Sequence, residues 1–536
     1  MESYYLGVDV GSGSVRAGVF TADGHCLAHC SCETQQFRPR PGFVEQSSQD
    51  IWQQCEQAVR KAITEAGVPA ERIVGIGFDA TCSLVALDAS GAPVSVSPSD
   101  EDDQNIIMWM DHRAVTQADE ITATGHAALN YVGGKVSPEH EIPKLVWLKH
   151  NRPDQFERAA LFLDLTDYMV ARAVGTLYDG SAPEKSVCTQ VCKWFYLAHE
   201  ARYPDDLFAI IGLDELLGRP RMQGAIRTVG TPAGTLSAEC AKAMGLSTDV
   251  IVATGLIDAH AGALGMLGDD PTGSLAVIAG TSTCHIALSA QPCFVPGVWG
   301  PYQGAVLPDI WINEGGQSAV GALIDHVIRD SANNHSLMSE AGRRQISHFD
   351  LLNEHLNTLE SVDSELTRNI HVLDYHHGNR SPLADASLTG MISGLTLETS
   401  IDALAVRYLA TLQAVSYGTR HIVDTLNANG HDIKRLLVCG GVLKNERWLT
   451  EMADATGLTL VIPAEPETVL LGSAMLAATA CGDQPSVQQA SAAMSTQERV
   501  ITPRPERRPF HDGKYAVYRA MHAHQLEYRQ LMGANV

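Results

Sequence analysis

The sequence predicts an α/β protein built as two domains, and three observations carry that prediction. Its 536 residues exceed what one hydrophobic core ordinarily supports. Strand-like apolar runs alternate with amphipathic helical stretches, the pattern of layered α/β architecture. An apolar run, a small-residue turn and a second apolar run open the chain in "LGVDVGSGSVRAGVF", and the same design returns about half a chain later in "GSLAVIAGTSTCHIALS".

The elements follow in order. "YYLGVDV" and "VRAGVF" read as strands joined by Gly11-Ser12-Gly13-Ser14, and "TADGH" turns the chain into a third, "CLAHCSC". "SSQDIWQQCEQAVRKAITEAG" is a helix, with serine and Asp50 at its start and glycine at its end. "IVGIGFDAT" and "SLVALDASGAPV" are strand-like, and "HEIPKLVWLKHN" is helical. After the second hairpin, "DSANNHSLMSEAGRRQISHFD" is polar and helical, and "SIDALAVRYLATLQAVSYGTRHIVDTLNANG" is a long helix. "IKRLLVCGG" and "TLVIP" are strands flanking the helix "NERWLTEMADATG", and "FHDGKYAVYRAMHAHQLEYRQLM" closes the chain as a helical tail. Turn residues cluster at "GDDPTGS", which sets the predicted boundary: an N-terminal domain over 1–268 and a C-terminal domain, tail included, over 269–536.

Composition narrows the partners. No apolar span is long enough to cross a bilayer, and the first residues lack a basic-then-apolar signal pattern, so a cytoplasmic chain is expected. A formal charge of −24 argues against nucleic acid and anionic membrane as partners. Any anionic ligand must then be held by backbone N–H groups, a few basic side chains or a metal. The 12 cysteines are scattered, which fits a reducing compartment better than a disulfide scaffold. In "HCLAHCSC" the thiols of Cys26, Cys30 and Cys32 share one parity, as on the buried face of a strand, and packing is preferred there to a metal site. The pair Cys188 and Cys192 is read the same way.

The opening turn invites three readings. A dinucleotide fingerprint fails, because Arg16 stands where its third glycine belongs and a strand follows instead of a helix. A P-loop needs Gly-Lys followed by Ser or Thr, which the chain lacks. The third reading is a hairpin whose small-residue turn aims backbone N–H groups at phosphate, with Asp9 facing the accompanying metal. Standing alone, the hairpin reads as a plain turn. Its partner half a chain later changes that, since two such loops could clamp one triphosphate.

These motifs resemble the FGGY family of carbohydrate kinases, and within it the ribulokinase-like members, from about residue 4 to about residue 480. The resemblance implies two ribonuclease-H-like, actin-like ATPase domains, with ATP and sugar in a central cleft between them. "GVDVGSGSVR" is similar to the first phosphate motif, assigning Gly11, Ser12, Gly13, Ser14 and Arg16 to ATP and Asp9 to Mg²⁺. "IAGTST" is similar to the second, assigning Gly280, Thr281 and Ser282 to ATP. "LLVCGGVLKNERWLTEMAD" resembles the adenosine motif, with Gly440, Gly441 and Asn445 near the base. "GLIDAHAGALG" resembles the segment bearing the catalytic base, which implies that role for Asp258. An Asp opening a helix also reads as an N-cap; the phosphate hairpin shortly after it favours the base.

On the sugar side, "FDATCSLVALD" resembles the Thr-Cys-Ser-Leu-Val stretch of D-ribulose kinases, which implies Ala80, Thr81 and Cys82 at the sugar. "CTQVCKWFYLAH" implies Lys193 on the ketose, and "NEGGQSAVG" implies Glu314. "IIMWMDHRA" matches the Trp-x-Asp-x-Arg stretch, with Asp111 and Arg113 as braces. "HHGNRSP" resembles a family segment but gives Asn379 and Arg380 no role. Two departures stand out: Val406-Arg407 replaces an acidic or amide residue followed by an apolar one, and the Arg-Glu pair of glycerol kinases is absent from "DATCS".

The implied activity is ATP- and Mg²⁺-dependent phosphorylation of a pentulose, D-ribulose to D-ribulose 5-phosphate, by in-line transfer with Asp258 as general base. L-ribulose or a pentitol such as ribitol is the alternative substrate. An actin-like ATPase that is not a kinase is the alternative of another class. A homodimer is an expectation that rests only on dimers being a common outcome for proteins generally.

Overall fold

Six of the seven residues in the strand Tyr4–Val10 are buried, which requires cover on both faces of its sheet. It pairs antiparallel with Ser14–Phe20 and parallel with Ile73–Ala80. Ser14–Phe20 pairs antiparallel with Cys26–Glu33, where Cys30 and Cys32 are buried while Ser31 and Glu33 are exposed. Beyond Ile73–Ala80 the sheet continues into Ile251–Ala253 and Leu256–Ile257, both parallel to it, with Pro232–Thr235 at the edge. The computed structural model describes residues 3–269 and 271–533, so Asp270 of the predicted boundary lies outside the described residues.

One cover of this sheet is the helix Ser48–Ala66. The Ser47 hydroxyl accepts the Asp50 N–H at its start, and Gly67 ends it in the left-handed conformation. Ile51, Trp52, Cys55 and Val59 form its buried stripe. The other cover is the helix Thr468–Ala480, which approaches so closely that the strands must carry glycine. A Cβ at Gly7 would lie 2.0 Å from the Leu470 carbonyl oxygen, and one at Gly77 2.0 Å from that of Ser473.

Contacts group the chain into two compact units. The first gathers Met1–Thr272, Ile286–Asn313 and Pro463–Thr496; the second gathers Gly273–His285, Glu314–Ile462 and Gln497–Val536. Two later segments thus pack with the first unit, and the helix Thr468–Ala480 shows why: its apolar surface is matched to the opening sheet.

In the second unit Ser274–Ala279 runs parallel to Arg435–Gly440, which runs parallel to Thr459–Pro463, with Gln497–Ile501 beyond. The long helix Ile401–Ala428 is capped by Ser400. The polar stretch before it forms two helices, Asn334–Arg344 and His348–Glu360. Gln345 breaks them in the left-handed region, and a Ser347–Asp350 capping box starts the second. The tail helix Arg508–Leu531 buries His511, Lys514, Tyr518, Met521 and Gln525. It is pinned by the Tyr518 hydroxyl donating to Asp374 at 2.8 Å and Lys514 donating to the Thr367 carbonyl at 2.8 Å. Among the described residues, no helix is long and apolar enough to cross a membrane.

Candidate active site

Strand register gathers carboxylates in the first unit. Asp9 pairs across the parallel ladder with Asp79, and Asp79 pairs with Leu256, two residues before Asp258. All three acids therefore come to the carboxyl ends of parallel strands, where α/β sheets bind their ligands. Asp79 lies inside the "FDATCS" stretch, yet the sequence alone gave it no role. Its carboxyl is pushed well above the usual range, by burial first and then by the charge of Asp9, with Asp258 contributing. Ser473 donates to its Oδ2 at 2.6 Å. Oδ1 is buried with no hydrogen-bond partner among the described residues.

Arg16 answers part of this charge. Its Nε donates to Asp9 at 2.8 Å and its Nη1 donates to Glu467 at 2.8 Å. Burial opposes the guanidinium charge, but Asp9 and Glu467 outweigh it and hold Arg16 firmly protonated. Glu467 precedes the helix Thr468–Ala480 and was not foreseen from sequence, because the chain returns to the first hairpin only after more than four hundred residues.

The turn itself is braced by side chains. Gln36 and Gln46 donate to the Ser12 carbonyl at 2.7 and 3.1 Å, and the Trp109 indole donates to the Ser12 hydroxyl at 2.9 Å. Trp109 also donates its backbone N–H to Ser83 Oγ at 3.2 Å, which ties the turn to the Thr81-Cys82-Ser83 stretch. A Cβ on Gly13 would meet no atom within 4 Å, so the surroundings leave room there for a ligand. Oxygen donors alone, with open space beside the turn, fit a hard cation such as Mg²⁺ together with phosphate.

Asp258 is the first residue of the helix Asp258–Leu267, and Ile257 occupies the N-cap position. Its Oδ1 accepts the N–H of Ala259 at 2.7 Å, and its side chain remains partly accessible. It therefore opens the helix without occupying the N-cap position.

Beside Ala80 and Thr81 lies a buried group of charges. Lys193, 1% exposed, ends the helix Val187–Lys193 and sets its Nζ 4.2 Å from the Trp299 ring centroid. Burial pushes the Cys82 thiol up, against the pull of Lys193. Glu141 pairs with Lys144 at 3.3 Å, and burial carries its carboxyl up to about 7 despite Lys144 and Lys193. Trp299, Glu141 and Lys144 were missed from sequence; their types and spacing are those of any buried patch. Asp111 and Arg113 are fully engaged inside the unit. Arg113 donates to Asp111 and Glu45, each at 2.7 Å, and stacks on Phe43 at 4.1 Å.

Close to Lys193 and Asp258 sits a sulfur–nitrogen cluster. Cys188 Sγ lies 3.0 Å from His260 Nδ1, and Cys192 Sγ lies 4.0 Å from it. Burial opposes ionisation of Cys188, yet its hydrogen bond with Cys192 and the His260 imidazole draw the thiol down to about 5.

The second unit carries its own groups. Gly280 and Thr281 end Ser274–Ala279, and their carbonyls accept N–H groups from Val320, Gly321 and Ala322 at 2.9–3.2 Å. Gly280 and Thr281 are exposed and Ser282 is half-buried. Glu314, buried on the strand Trp311–Gln317, accepts from Arg380 Nη2 at 3.4 Å, which gives Arg380 the partner its sequence segment did not reveal. Asn379 accepts the Leu383 N–H at 2.9 Å. Gly440 takes a φ of 90°, and a Cβ there would lie 2.5 Å from the Ala279 carbonyl oxygen. Asn445 caps the helix Glu446–Thr456 and donates to the Tyr408 hydroxyl at 2.6 Å.

Comparison with known proteins identifies the family. The chain matches the FGGY family of carbohydrate kinases over both of that family's domains, the N-terminal domain at residues 4–265 and the C-terminal domain at 275–481. It is 43% identical to the "FGGY carbohydrate kinase domain-containing protein" of Danio rerio, covering 99% of each chain. It is 37% identical to a D-ribulokinase of Saccharomyces cerevisiae, covering 90% of this chain and 72% of that one. The crystal structure of xylulose kinase from Rhodospirillum rubrum superposes with a TM-score of 0.79 at 23% identity, covering 98% of this chain and 99% of the other, which shows a shared two-domain α/β fold.

Proposed function

This chain belongs to the FGGY family of carbohydrate kinases and is an ATP-dependent sugar kinase; we propose that its sugar is a pentulose, D-ribulose, converted in the cytoplasm to D-ribulose 5-phosphate. The observation that carries this reading is the meeting, within one unit, of the Thr81-Cys82-Ser83 stretch, buried Lys193 and the accessible carboxylate of Asp258. The likeness to a protein named as a D-ribulokinase supports the choice of sugar.

In this mechanism Asp258 accepts the proton of the attacking sugar hydroxyl as the new P–O bond forms. No strong base is required, because the hydroxyl becomes acidic late in a loose transition state. Backbone N–H groups at Gly11 to Ser14 and at Gly280 to Thr283 take the phosphate charge, and Gly440, Gly441 and Asn445 serve the adenosine. Asp9, with Asp79 beside it, would hold Mg²⁺, whose chemistry is to offset charge on the terminal phosphates. Lys193, Glu314, Ala80, Thr81 and Cys82 orient the ketose; hydrogen bonds from a charged group discriminate strongly because a missing partner leaves that group unsatisfied.

A coupled ADP-release assay across D-ribulose, L-ribulose, D-xylulose and ribitol tests the reading. D-ribulose should give the highest kcat/KM by at least roughly tenfold, the value of one well-made polar contact. A preference for L-ribulose or ribitol overturns the sugar assignment and leaves the kinase intact.

A further inference from the structure

The proposed reaction uses neither Cys188, Cys192 nor His260, although the three sit together at 0% exposure. Their ligand atoms all lie within 4.8 Å of one another. The thiols lie one turn apart on the helix Val187–Lys193, and the imidazole comes from the helix Asp258–Leu267. We propose that Cys188, Cys192 and His260 form a buried site for one thiophilic divalent cation of the zinc kind, distinct from the oxygen-ligated magnesium of the nucleotide.

Geometry and charge both favour it. A tetrahedral zinc ion with Zn–S about 2.3 Å and Zn–N about 2.0 Å sets sulfur and nitrogen roughly 3.5 Å apart. The observed 3.0 and 4.0 Å bracket that value, so shifts of about half an ångström admit the ion. Two thiolates and one divalent cation sum to zero, so a dry interior gains no net charge. Binding leaves both sulfurs as thiolates and the imidazole neutral, so any protons the three groups still hold on the ligand atoms are released as the cation enters. The Ile257 N–H points to Cys188 Sγ at 3.5 Å, an outer hydrogen bond of the kind that steadies metal-bound sulfur. Soft sulfur donors select zinc over magnesium or calcium.

The site was invisible in sequence because the Cys-x₃-Cys pair and His260 are about seventy residues apart. It holds whichever sugar the kinase takes. Because the ligands are buried, entry requires local opening of the short helix, so loading is slow and incubation must be long.

The test is incubation of chelator-treated full-length protein with Co²⁺. One equivalent should produce a thiolate-to-cobalt charge-transfer band with tetrahedral d–d absorption, displaced by Zn²⁺ and unaffected by excess Mg²⁺. Cys192→Ala should weaken binding by more than the roughly 100-fold that loss of an outer hydrogen bond causes, whereas Cys55→Ala, on another helix, should not. X-ray absorption of the zinc-loaded wild-type protein should show two sulfur ligands and one imidazole, a readout that stands even where Cys192→Ala does not fold. Absence of the band, a band untouched by Cys192→Ala in folded protein, or a shell of oxygen and nitrogen alone overturns the proposal.

Discussion

At the first hairpin Asp9 precedes the turn and Arg16 follows it, whereas Ile278 and His285 hold the matching places in the second. The first is thus charged, with Asp9 shared between Arg16 and the neighbouring Asp79. The second is neutral. Burial, with Arg380 adding to it, pushes His285 down to about 3, and its Nε2 lies 3.1 Å from the Thr419 hydroxyl. The bracing differs too: side-chain amides and an indole hold Ser12, while backbone N–H groups hold Gly280 and Thr281. Under the proposed function, this difference divides the labour: the first hairpin would serve metal and phosphate together and the second phosphate alone.

That division can be broken most visibly at its charged end. Asp9→Asn should weaken the apparent Mg²⁺ affinity in sugar-dependent ADP release by roughly 10–100-fold, while His285→Gln leaves it unchanged. Equal losses in the two variants would erase the contrast.

Acid sharpens it next. His285 has a folded-state pKa of about 3 against an unfolded value of about 6.5. Unfolded chains therefore bind the extra proton in that window, and stability falls as pH drops from about 6.5 toward 3. The contribution of one such group reaches about 1.4 kcal/mol per pH unit. His421 and His511, also about 3 through burial, add the same sign in the same unit. Amide exchange should show the second unit losing protection progressively across that window, and His285→Gln should flatten the slope; an unchanged slope contradicts the buried neutral imidazole.

The smallest effect concerns bracing. Trp109→Phe removes the indole donor to Ser12 and should raise the KM for ATP about fivefold, the equivalent of roughly 1 kcal/mol. The variant's sugar KM should move less; the opposite ranking would show that Trp109 serves the ketose stretch instead.

Much of this architecture was legible where pattern is local. Both hairpins and the helix Ser48–Ala66, with its serine start and glycine stop, follow from periodicity and capping chemistry. Convergence over long separations was not legible. Glu467 reaches Arg16, Arg380 reaches Glu314 and His260 reaches Cys188 only through tertiary packing. Asp79 was hidden for another reason: it stood beside a more conspicuous Thr-Cys-Ser stretch, and only the strand register against Asp9 reveals it. Lys193 and Glu141 show the same limit, because burial of a charge cannot be read from residue type.

The most direct measurement is single-turnover phosphoryl transfer by Asp258→Asn, with ATP binding followed in parallel by calorimetry. Transfer to D-ribulose should fall by roughly 10²–10⁴-fold, the range for a lost general base, while ATP binds as before. Near-normal transfer in that variant would contradict the account.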